Sequence, residues 1–149
     1  MSIESAIHQE KFRNVYHKAM VNFIFTSNWH HDRHLHTFKP HGLIPQEYNV
    51  LRILRGIYPG SLRINDIIKR VLDKMSNTSR LVDGMVRKGL VEREKSNTDK
   101  RSVNIHLTKK GLALVNSLDE VIIASEKRFA TLSEDEAEQF NVLLDKLRG

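Results

Sequence analysis

The chain has 149 residues, a length that suits one domain, and its 40% hydrophobic and 28% charged residues exclude a disordered chain. A net charge of +6 and a pI of about 9.7 point to an anionic partner, either nucleic acid or an acidic membrane surface. There is no cysteine, which excludes disulfides, thiolate metal sites and thiol-based redox sensing.

The opening MSIESAIHQEKFR lacks the basic-then-apolar pattern of a leader peptide. No apolar run approaches the ~18 residues that span a bilayer. A cytoplasmic protein with no membrane partner is expected. The positive charge is not spread evenly. From Arg52 to Lys110 lie fifteen of the 24 basic residues but only six of the 18 acidic ones.

Residues 4–36 read as one long helix or two joined ones, with Ile7, Val15, Met20, Phe23, Ile24 and Trp29 at mixed three- and four-residue steps. One small core cannot cover so long an apolar stripe, so a partner chain is expected against it. Phe38-Lys39-Pro40-His41-Gly42 is a break. Pro45 then opens a helix with Tyr48, Val50, Leu51, Ile53 and Leu54 as its stripe, ended by Gly56, Pro59 and Gly60.

A short helix is predicted over 63–72, with Ile64, Ile67, Ile68 and Val71 on its inner face. After a turn, Asp73 is the expected N-cap of a fourth helix running to Lys88 and stopped by Gly89. Residues 90–94 and 103–107 alternate as two strands of a hairpin around a polar, basic tip. Thr108 caps a helix predicted over 109–131. Ser133 caps a last helix, with Glu136 completing a capping box and Phe140, Leu143, Leu144 and Leu147 as its apolar face.

Helix, turn, helix and hairpin in that order form a winged helix-turn-helix, whose second helix enters the major groove with its N-terminal residues toward the bases. Leu81, Val82, Met85 and Val86 supply the inner stripe of that helix, and Thr78 joins them. Lys74, Ser76, Asn77, Ser79 and Arg80 lie at its outer N-terminal end. Asn pairs with adenine, Arg with guanine, and Ser with either. On the hairpin tip, Lys100 and Arg101 are candidate DNA contacts, Arg101 in the minor groove, with Asp99 holding Arg101 in place.

Arg80–Gly111 resembles the signature of the MarR family of bacterial transcription regulators. Four pieces carry the resemblance, in order: Arg80-Leu81-Val82-Asp83, Lys88-Gly89-Leu90-Val91, Asp99-Lys100-Arg101 and Leu107-Thr108-Lys109-Lys110-Gly111. The resemblance implies a mainly α fold with a small β-hairpin wing. It also implies a homodimer, with 1–42 and 109–149 as dimerisation helices and 43–108 as the winged unit of one domain. The partner is then double-stranded DNA carrying a near-palindromic operator. The protein is expected to be a repressor, with no cofactor. Gly84 departs from the family pattern, which usually has a charged or long residue there.

Many family members release DNA on binding a small aromatic anion. Trp29, His30, Phe38, His41 and Tyr48 are the candidate lining residues for such an effector. The competing reading of the aromatic residues is plain core. His30 and His34 share a helix face, as zinc ligands would, with Asp32, His41 or His106 as a third. A solvated polar helix end is the preferred reading, so no metal is expected. A nonspecific DNA-compacting protein is the alternative function. It would share the basic charge but not need a polar recognition-helix tip. No catalytic triad, phosphate loop or carboxylate pair suggests an enzyme.

Overall fold

The computed structural model describes residues 1–95 and 103–149. It forms two compact units, Met1–Pro45 and Gln46–Gly149. Among the described residues no helix is long and apolar enough to cross a membrane.

The first unit settles the choice between one helix and two. Helix α1 spans Ile3–Ile7 and α2 spans Val15–Phe38. The break carries no Pro or Gly. His8 instead adopts the left-handed conformation (φ 53°), and the Gln9 N–H bonds to the Glu4 carbonyl at 3.1 Å. The side chain of Asn14 then caps α2 by accepting from the His17 N–H at 2.9 Å. Lys18 lies 2.5 Å from Glu4 and holds its carboxyl below the usual carboxylate range. A 3-10 turn, Lys39–His41, follows α2.

The second unit takes in all but the first residue of α3 (Pro45–Arg55), whose Val50, Leu51 and Leu54 are fully buried. Next comes a strand that periodicity did not predict, β1 (Ser61–Arg63). Three residues with one apolar side chain show no alternation to read. β1 pairs antiparallel with β3 (Val103–Leu107), which pairs antiparallel with β2 (Val91–Lys95), so the expected two-stranded hairpin is a three-stranded sheet ordered β1-β3-β2. Helices α4 (Ile64–Arg70) and α5 (Thr78–Arg87) lie between β1 and β2 in the chain. Ile67, Val82, Met85, Val91, Ile105 and Val115 join α3 in one core.

The helix expected over 109–131 is interrupted. It resolves into α6 (Lys109–Ser117), α7 (Asp119–Glu126) and a 3-10 turn (Phe129–Thr131). Arg55 of α3 donates to the Val115 carbonyl, the Asn116 side chain and, at 2.7 Å, Asp119, so the join between α6 and α7 is tied to α3. Helix α8 (Glu134–Arg148) has the expected capping box of Ser133 and Glu136. None of its residues is buried.

Candidate nucleic-acid interface

The C-terminal end of α5 is locked from several sides. Gly89 takes φ +68°, the left-handed stop that glycine adopts without strain. The Gly89 N–H then reaches the Val86 carbonyl and the Leu90 N–H the Met85 carbonyl, the Schellman pattern. Thr108 ties this stop to α6. Its hydroxyl donates toward the Gly89 and Leu90 carbonyls at 2.8 and 3.1 Å, and its oxygen accepts from the Gly111 N–H at 2.9 Å. Lys110 donates to the Lys88 carbonyl at 2.7 Å. Gly111 is required by contact: a Cβ there would stand 2.1 Å from the Leu90 carbonyl oxygen. Lys88 itself lies 2.7 Å from both carboxylate oxygens of Glu47, a residue only 4% exposed on α3.

The N-terminal end of α5 differs from the expected one. The helix starts at Thr78, not after Asp73, and Asn77 is its cap, accepting from the Arg80 N–H at 3.1 Å. Asp73 and Asn77 are both good caps, four residues apart. Asp73 is committed to the preceding turn. Its carboxylate accepts the Met75 N–H at 3.0 Å and the Gln46 amide at 3.3 Å, and its carbonyl accepts the Ser76 hydroxyl at 2.8 Å. Lys74 and Ser76 therefore precede the helix. The Lys74 ammonium folds back onto the Lys69 carbonyl at 2.6 Å, near the end of α4.

Thr78, Val82 and Met85 are buried as expected, with Leu81 and Val86 half-buried. Asn77, Ser79 and Arg80 are exposed together at the outer end. Periodicity gave no sign of Arg93 on β2 as a brace. It pairs with Asp83 at 2.7 Å and reaches the Ser79 carbonyl at 3.5 Å, holding the sheet against α5. Gly84 has room around it. A Cβ would meet only the Arg87 guanidinium at 3.8 Å and Glu47 at 4.0 Å, so no close backbone approach within the chain requires glycine.

On the wing, His106 and Glu92 face one another across β3 and β2 at 3.1 Å. Asp99, Lys100 and Arg101 lie outside the described residues.

The five residues assigned to an effector divide between the units, with Tyr48 in the second. In the first, the Arg33 guanidinium stands 4.4 Å over the Trp29 ring. The His30 and His34 rings lie 4.3 Å apart, tilted by 47°, and His34 meets Phe38 edge-on at 5.7 Å. Phe38 is fully buried and His41 exposed. Of these residues only Trp29 lines the cavity of about 410 Å³ in this unit, with Ile3, Ala6, Asn22, Phe25 and Thr26 among its other walls. Burial raises the Tyr48 hydroxyl above its ordinary pKa, against the pull of Arg55 and Arg52. Among the described residues no group of three His, Cys, Asp or Glu side chains converges as a metal site would need.

Residues 41–102 match the MarR family model. The chain is 35% identical over 109 residues to the uncharacterized HTH-type transcriptional regulator YkoM of Bacillus subtilis, an alignment covering 72% of this chain and 70% of that protein. The MepR–DNA complex of S. aureus superposes with a TM-score of 0.78 at 25% identity, over 92% of this chain and 97% of that one. A mutant E. coli MarR complexed with operator DNA gives 0.74 at 25% identity, over 85% and 91%.

Proposed function

Because the chain belongs to the MarR family of winged-helix transcription regulators, a regulator and not an enzyme, we propose that it binds a near-palindromic operator as a homodimer and represses transcription there. One observation carries the reading. Helix α5 buries Thr78, Val82 and Met85 and turns Asn77, Ser79 and Arg80 outward at its N-terminal end, the end that faces base edges in a helix-turn-helix. Lys74, Ser76, Lys100 and Arg101 are proposed to add contacts around it, with Asp99 supporting Arg101.

Dimerisation is supported by apolar surface that one chain leaves uncovered. On α2, Val15, Tyr16, Met20, Phe23 and Ile24 are 49–81% exposed, and on α8 Phe140, Val142, Leu143 and Leu147 are 40–71% exposed. Patches of this kind mark association surfaces. Two winged units would then meet half-sites one helical turn apart.

Selection of bound DNA from a random pool tests the reading, alongside the mass in solution. One two-fold symmetric site and a dimer are expected. Uniform coating of DNA would favour the architectural alternative instead. On the selected site, Arg101→Ala should weaken binding and lower the salt slope by about one phosphate-equivalent. Release by a small aromatic anion is part of the same reading. Its support is the cavity walled by Trp29, with Asn22 and Thr26 as polar groups. Trp29 is the sole tryptophan, so salicylate should quench its fluorescence as the DNA dissociates. Unchanged DNA binding would remove the effector from the mechanism.

A further inference from the structure

We infer that Met75 reads the 5-methyl group of a thymine in each operator half-site, an inference that rests on the DNA-binding reading above. Met75 is 95% exposed. Its neighbour across the turn, Leu72, is 79% exposed. A single exposed apolar side chain is ordinary, so the placement of this one carries the argument. Met75 sits two residues before the Asn77 cap, at the same end of α5 as the exposed Ser79 and Arg80.

Its backbone is pinned. Asp73 holds the Met75 N–H at 3.0 Å and the Ser76 hydroxyl at 2.8 Å, so the turn is held by hydrogen bonds and the Met75 side chain projects from it. The lysine beside it does not project in the same way, because Lys74 bonds back to the Lys69 carbonyl at 2.6 Å. A helix that enters the groove N-terminus first brings this turn with it. The thymine methyl is the apolar group that base edges present in the major groove. An unbranched, polarisable thioether adapts its shape to such a contact.

The test uses the full chain and the site it selects. Each thymine is replaced in turn by uracil, which lacks only the methyl, and Kd is measured for the wild type and for Met75→Ala. One thymine per half-site should cost the wild type about four-fold in affinity when replaced. Met75→Ala should bind the thymine site about four-fold more weakly per half-site and show no further loss with uracil at that position. The melting temperature of Met75→Ala should match the wild type, because the side chain is exposed. If every uracil penalty is the same in both proteins, the methyl contact is wrong while the DNA-binding reading stands. If the wild type selects no site at all, both fall.

Discussion

The two ends of α5 are built differently. At the C-terminal end, Gly89, Thr108, Lys110, Gly111 and the Glu47–Lys88 pair join three helices and a strand within a few ångströms. At the N-terminal end, Asn77 and Asp73 bond mostly to their own neighbours, and Ser79, Arg80 and Met75 face outward. The first end fixes where the helix points. The second leaves side chains available to a partner. Residues that make the chain recognisable as a family member lie mostly at the first end and on the wing, and those proposed to choose the operator lie mostly at the second.

Substitutions should separate the two ends. The largest effect is expected at Gly111. Gly111→Ala drives a methyl into the Leu90 carbonyl, and thermal unfolding should report a loss of about 3 kcal/mol or more. A stable variant would mean that α6 can shift without cost. Lys88→Met leaves Glu47 buried with its ammonium partner gone and should cost about 2 kcal/mol in urea titration, less than a fully buried pair because Lys88 reaches solvent. Adding Glu47→Gln should recover part of that loss. No recovery would show that the pair is not what holds α3 to α5.

Asn77 tests the outer end. Asn77→Ala should cost about 1 kcal/mol of stability, because the cap is lost. Asn77→Ser keeps a cap and should restore stability. If Asn77 also reads a base, both variants should relax preference at the same position by about 1–3 kcal/mol. The cap limits that contact, since the Asn77 Oδ1 already accepts from the Arg80 N–H. An unchanged selection profile in both variants would leave Asn77 as a cap alone. The smallest effect is at Gly84, where Gly84→Ala should raise stability by about 0.5–1 kcal/mol, since the site has room and a helix interior disfavours glycine. A destabilised variant would point to a constraint outside the chain's own contacts.

Much of the winged unit was legible because each of its longer elements has a period and a stop. Val82 and Met85 fall on one face of a 3.6-residue repeat, and Gly89 marks the end of that helix. The capping box at Ser133 and the cap at Thr108 were readable from residue type alone. The rest depended on which of several competent groups found a partner. Asp73 and Asn77 can each cap a helix, and only the packing of the turn decides between them. His8 takes a left-handed conformation, which histidine adopts more often than most residues with a Cβ but still too rarely for its type alone to mark the break. Strand β1 is too short to show a pattern and exists because β3 supplies its partner.

Residue types and their spacing determined by themselves that this chain carries a winged helix-turn-helix, since helical and strand periods, caps and glycine stops act over a few neighbouring residues; the likeness to the MarR family rests on the motifs within Arg80–Gly111. Tertiary structure decided where the recognition helix begins, that Arg93 braces it, that Gly111 admits no side chain, and that Met75 stands outside the fold. Most of those features involve residues that meet across 10 to 27 positions of chain, as in Arg93 with Asp83, Gly111 with Leu90 and Asp73 with Gln46. Local sequence carries no record of such meetings.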